Sequence, residues 1–245
     1  MRLALKRLFK QLDTPMDLRD PYDEQELAVI PYVNGGLFTD ADIEIPNFTD
    51  EIRELLISEL SADTDWSQIS PTIFGGVFES TLNPETRHAG GMHYTSPENI
   101  HKVIDPLFLN ALTDELASII NEPGVGAVKR RNNLKRYHDK LAGLTFFDPA
   151  CGSGNFLTET YISLRRLENK VLSELANDQT ALDFGGESSQ LQVHISQFYG
   201  IEINDFAVSV AQTALWIAKL QADAETEILA SANIDNLPLR DSANI

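Results

Sequence analysis

One stretch constrains the fold more than any other: Leu144-Thr-Phe-Phe-Asp148-Pro-Ala-Cys-Gly152-Ser-Gly154-Asn-Phe-Leu157. A short apolar run ends on an acid and passes through a loop holding two glycines. It then continues with Phe156, Leu157, Tyr161, Leu164 and Leu167 at helical spacing. A second apolar run, Gln197 to Ile203, reads as a strand, and Asp205 opens a helix carrying Phe206, Val210, Ala214, Ile217 and Leu220. Two strands each followed by a helix require a right-handed crossover and a parallel sheet, so the class is α/β.

The chain ahead of this unit reads as helical. Pro15, Pro21, Pro31 and Pro46 with the Asn34-Gly35-Gly36 turn break residues 1–48 into a wrapped lead-in holding at most one helix at its start. Thr49 or Asp50 then caps a helix with Ile52, Leu55, Leu56 and Leu60 on one face. Pro71 suits the first turn of a second helix, with Ile73, Phe74, Val77 and Phe78 on its apolar face. Gly75-Gly76 inside that helix costs propensity and predicts a close contact with another element. After a polar connection over residues 81–95, Ser96 and Pro97 start a long helix lined by Ile100, Val103, Ile104, Leu107, Phe108, Leu112, Leu116 and Ile119. Pro106 should kink or divide it, and Pro123-Gly124 should end it. Lys129, Arg130, Arg131, Lys135, Arg136 and Lys140 read as a solvated helix face. The division drawn is a helical connector over residues 1–85 and a second domain over 86–245.

The glycine loop is placed for a ligand, because Gly152 and Gly154 can take positive φ and let a molecule approach the backbone. Asp148 at the strand's end would repel a pyrophosphate and suits a cationic or hydroxyl-bearing ligand. Glu202 closes the second strand, where an acid can accept hydrogen bonds from ribose hydroxyls. It lies 54 residues after Asp148, beyond the usual dinucleotide offset, and the long helix and polar loop between them absorb the difference. No Gly-Lys-Ser or Gly-Lys-Thr follows the glycines. One acid for an ammonium group and another for a ribose describe S-adenosylmethionine better than a dinucleotide. Cys151 is no nucleophile on this reading, having no neighbouring His to lower its pKa and occupying a position that needs a small residue.

Charge and composition bound the partners. With 19 basic and 37 acidic residues the net charge is −18, which opposes phosphate neutralisation by this chain. The apolar share of 42% supports a core, and no apolar run approaches membrane-spanning length, so a soluble, cytoplasmic protein with no membrane partner is expected. The single cysteine excludes an internal disulfide and a Cys-based zinc site, and the five histidines show no metal-ligand spacing.

Over residues 30–245 the sequence resembles the γ-class adenine-N6 DNA methyltransferases of restriction-modification and related phage-defence systems. Three stretches carry the likeness: Gly91-Met-His-Tyr94-Thr95-Ser96-Pro97, the Asp148 to Leu157 string, and Tyr199-Gly-Ile-Glu202-Ile203-Asn204. The resemblance implies a helical N-terminal region followed by the first part of a Rossmann-like S-adenosylmethionine-dependent methyltransferase fold. It implies that Tyr94, Thr95 and Ser96 hold the methionine end of the cofactor. Asp148, Pro149, Ala150, Cys151, Gly152, Gly154, Asn155 and Phe156 would surround its amino group and sulfonium, Glu202 would take the ribose hydroxyls, and Ile203 would lie on the adenine. The stretch from Tyr32 to Glu79 is similar to the connector of type IIG/IIL-like single-chain enzymes, in which a nuclease precedes the methyltransferase.

The family's Asn-Pro-Pro-Tyr or Asn-Pro-Pro-Phe motif, which accepts a flipped base, is absent; Asn83-Pro84-Glu85-Thr86 is a turn. The expectation is therefore a portion that binds cofactor, holds no catalytic residue and transfers no methyl group. Double-stranded DNA would be met by regions of a parent protein outside it. Its first strand would keep one unpaired edge, inviting self-association. Two rivals stay open: a piece of an RNA guanine methyltransferase, since those proteins carry similar loops, and a non-catalytic interaction module with a methyltransferase-like fold.

Overall fold

The computed structural model describes residues 1–20, 22, 25–33, 44–66, 69–81, 94–179, 191–230 and 243–245. Asn34-Gly35-Gly36, Gly91 to His93 and the polar loop over 180–190 lie outside the described residues, as do the side chains of Phe74 and Phe78. The chain forms two compact units, one built on residues up to Ile69 and one on residues from Ser70 onward.

The first unit is helical. Helix α1 (Arg2–Asp13) is followed by a short α2 (Gln25–Ala28). The Arg19 guanidinium ties the turn between them, donating to the carbonyls of Gln11 at 2.8 Å, Thr14 at 3.0 Å and Ile30 at 2.6 Å. Thr49 caps α3 (Asp50–Glu54) by accepting from the Ile52 amide at 3.3 Å. The helix runs on with π winding over Leu55–Asp63. The apolar Ile52, Leu55, Ile57 and Leu60 stay exposed.

In the second unit, α4 (Ile73–Thr81) precedes α5 (Pro97–Ile104), which begins after Ser96 as the sequence predicts. The Ser96 side chain makes no capping hydrogen bond, so proline at the first position, rather than the hydroxyl, favours the start. Pro106 cannot donate to the preceding turn, and the chain passes through a π turn over Asp105–Leu109 into α6 (Asn110–Asn121). Gly124, at φ 76°, follows the end of α6, and α7 (Ala127–Ala142) follows. Three of the basic residues of α7 form ion pairs, Arg130 with Glu174, Lys129 with Glu122 and Lys140 with Glu115.

Strands β1 (Phe146–Asp148) and β2 (Phe198–Gly200) pair in parallel, with Phe146 opposite Phe198 and Asp148 opposite Gly200. On the other edge of β2, Asn244 exchanges backbone bonds with Phe198 and Gly200 at 3.0 and 2.9 Å. Helix α8 (Asn155–Gln179) links the two strands, and α9 (Asp205–Ala230) follows β2. Helix α9 opens at Asp205 as the sequence predicts, and Asn204 caps it: its side-chain oxygen accepts from the amides of Phe206 and Ala207 at 3.0 and 3.1 Å. Leu157, Tyr161, Leu164, Leu167 and Val171 of α8 are buried, and Phe198 stacks on Phe146 with centroids 5.3 Å apart. Helix α9 buries Ala207, Ala211, Ala214, Ala218 and Ala222, and these small side chains let it lie close to α8. No helix among the described residues is long and apolar enough to cross a membrane.

Candidate functional site

The glycine loop is held at both ends. As β1 ends, the Asp148 carbonyl accepts from the Ile201 amide at 3.0 Å, and the Cys151 amide donates back to the Ile201 carbonyl at 3.1 Å. This stitching sets Asp148 at the carboxyl end of β1 and Glu202 two residues past that of the parallel β2, the edge where open α/β sheets bind ligands.

Each glycine answers to a different constraint. Gly152 has φ 54°, and a Cβ there would meet nothing within 4 Å among the described residues. Gly154 has φ 76° and packs on α9, where a Cβ would stand 2.8 Å from that of Ala211. Gly200 lies against Cys151, whose sulfur would be 2.7 Å from an added Cβ. Cys151 is buried, and its thiol is pushed up to about 11 by burial, then by the charges of Asp148 and Glu202. A thiol that holds its proton at neutral pH is a packing residue, as its sequence position implies.

The two acids each keep an oxygen available. Asp148 Oδ1 accepts from the Ala150 amide at 3.0 Å. Glu202 Oε1 accepts from the amides of Ile203 and Asn204 at 2.8 and 2.9 Å. Among the described residues, the second oxygen of each carboxylate makes no hydrogen bond. Such oxygens can accept from an amine or a hydroxyl without first losing a protein partner. Ile203 stands 92% exposed beside Glu202, an apolar surface fit for an aromatic ring.

The remaining residues singled out in the sequence fall on several elements. Tyr94, Thr95 and Ser96 lead into α5, with the Tyr94 ring 3.5 Å from where a Gly76 Cβ would be. Asn155 is buried at the start of α8, and among the described residues its Oδ1 has no hydrogen-bond partner, nor has the hydroxyl of Thr158 one turn on. Pro149 and Phe156 turn instead to a groove of about 670 Å³ along β1, shared with Leu107, Phe108 and Phe147.

Helix α4 also reaches the site. A Cβ on Gly75 would fall 2.3 Å from Ser153 Oγ and 2.8 Å from Asn155 Oδ1. The Gly75-Gly76 pair predicts such an approach, but nothing in the sequence names its partner. The Asn155 oxygen and the two acids with available oxygens form a set of acceptors that fits the donors of a cofactor bearing an ammonium group and a ribose. Among the described residues no cluster of side chains could hold a metal ion.

Residues 125–245 match the family model of the MmeI DNA-methyltransferase domain. DNA methyltransferase A of Bacillus subtilis (strain 168) is 38% identical over 98% of this chain and 26% of its own length. A putative type II restriction enzyme and methyltransferase of Methanocaldococcus jannaschii is 26% identical over 89% of this chain and 21% of its own length. A solved structure of the type IIL restriction-modification enzyme MmeI in complex with DNA superposes with a TM-score of 0.84 and 38% identity, covering 100% of this chain and 31% of that one. The chain spans about a quarter of the length of the curated relatives it matches. By sequence and by fold, it carries a methyltransferase domain of the restriction-modification type.

Proposed function

We propose that this chain is the S-adenosylmethionine-binding portion of a DNA adenine-N6 methyltransferase, with a Rossmann-like sheet of which β1 and β2 are part. The observation that carries the reading is the placing of Asp148 at the end of β1 and of Glu202 two residues past the end of the parallel β2, with Gly152 at positive φ in the loop that follows β1. Asp148 would accept from the cofactor's ammonium group and Glu202 from its ribose hydroxyls, while Ile203 covers the adenine. Tyr94, Thr95, Ser96 and the loop through Asn155 to Phe156 would enclose the methionine end. The bound cofactor supplies an activated methyl group on a sulfonium. The division proposed with it is a connector over residues 1–85 and a methyltransferase portion over 86–245.

Double-stranded DNA is the substrate on this reading, as the DNA-bound MmeI structure supports. The charge of −18 assigns that contact to other parts of the protein. The open edge of β1, paired only with β2 among the described residues and bearing the 61% exposed Phe147, is assigned to association with a second copy. Light scattering should show a concentration-dependent dimer; a clean monomer at high concentration contradicts that assignment.

Calorimetry with S-adenosylmethionine tests the main reading. Weak but saturable binding is expected, and no heat at millimolar ligand would contradict it.

A further inference from the structure

Helices α5 and α8 both begin at the site, one after Thr95-Ser96 and the other after the glycine loop. His101 is the fifth residue of α5 and Glu159 the fifth of α8. At 1.5 Å rise per residue each lies about 6 Å along its helix from the site. The imidazole spans the two elements: Nε2 is 3.2 Å from Glu159 Oε1, and Nδ1 is 2.7 Å from Asp105 Oδ1 in the π turn. Glu159 is buried, with a side chain 9% exposed, and the ring itself is 32% exposed. A buried carboxylate needs a donor, and His101 supplies it from the facing helix.

We infer that His101 is a positioning residue for the cofactor, a protonation-dependent pin that holds the Tyr94–Ser96 wall against the glycine loop. The inference rests on the cofactor reading above. Only the imidazolium donates from both nitrogens; the neutral ring donates from one and must release either Asp105 or Glu159. The Asp105 hydrogen bond raises the imidazole above its ordinary value of 6.5, burial opposes this, and Glu159 raises it further. Among the described residues those two carboxylates, one from the π turn and one from α8, are the charged groups acting on the ring. Because the folded value is raised, the pin is complete below the ordinary value and is lost as pH rises through the folded one. A cofactor that bridges both helix starts binds the pinned form better and must, by linkage, raise the His101 value in return.

The test is the affinity of the full 245-residue chain for S-adenosylhomocysteine from pH 6 to pH 9, in the wild type, His101→Gln and Glu159→Gln. The wild type should weaken about three- to tenfold across that range. His101→Gln should stay near the wild type's high-pH level with a flat profile, and Glu159→Gln should lose most of the slope. The His101 ring proton, followed by NMR, should titrate at a higher pH with ligand bound. A flat wild-type profile, or an equal slope in His101→Gln, overturns the inference and leaves the cofactor reading standing. No binding at any pH overturns the cofactor reading itself, and the pin with it.

Discussion

Gly75 and Gly76 are adjacent on one helix, yet a methyl group at each would meet different surroundings. At Gly75 it would press on Ser153 Oγ and Asn155 Oδ1 at 2.3 and 2.8 Å; at Gly76 its nearest neighbour is the Tyr94 ring at an ordinary 3.5 Å. Replacing a helical glycine by alanine gains roughly 0.5–1 kcal/mol of backbone entropy where space allows. Gly76→Ala should therefore raise thermal stability and leave cofactor affinity unchanged. Gly75→Ala should displace the loop and weaken binding severalfold; calorimetry and thermal melts on both variants read the difference. Cys151, with its thiol held at about 11, should react with iodoacetamide at pH 7.5 far more slowly than an exposed cysteine. Fast alkylation of the folded protein would show the thiol more open and more acidic than its surroundings allow.

At the scale of elements, β2 is placed by side chains outside the sheet. The Gln197 amide nitrogen reaches the carbonyls of Leu141, Ala142 and Leu144 at 2.9, 3.1 and 2.7 Å, tying β2 to the end of α7 and the lead into β1. Glu168 Oε1 accepts from the amides of Gln192 and Val193 and from His138, all within 3.1 Å, fixing the approach to β2. Behind it Arg165, buried on α8, pairs with Asp223 of α9 at 2.5 Å and with Glu168 at 3.1 Å. Removing one member of a buried charge group strands the others, at a cost of about 3–5 kcal/mol. Asp223→Ala should lose stability of that order in urea melts, whereas Asp223→Asn, which keeps an acceptor for Arg165, should lose less.

The strand-loop-helix unit is legible in the sequence because its apolar runs and glycines act locally. The helix break at Pro106 and the turn at Gly124 are legible for the same reason. The buried charge group is not, because Arg165 and Glu168 at three-residue spacing look like any surface pair until α9 lies over them. The site divides the same way. Asp148, Gly152 and Glu202 announce themselves, while the partner of Gly75 and the bridge from His101 to Glu159 depend on contacts between distant segments that periodicity does not encode.

For the whole molecule, the charge of −18 and the absence of an Asn-Pro-Pro-Tyr or Asn-Pro-Pro-Phe motif make one joint prediction. The chain alone should neither retain duplex DNA at physiological salt nor transfer a labelled methyl group to it. Label appearing in DNA would place a catalytic group among these 245 residues. The central claim, that two acids at the ends of adjacent parallel strands hold one cofactor, is tested most directly by the affinity of S-adenosylhomocysteine for Asp148→Ala and Glu202→Ala beside the wild type. Losing a hydrogen bond to a charged group is worth about 1.5–3 kcal/mol, so each variant should bind roughly ten- to a hundredfold more weakly. Unchanged affinity in both variants, with the fold intact, would contradict it.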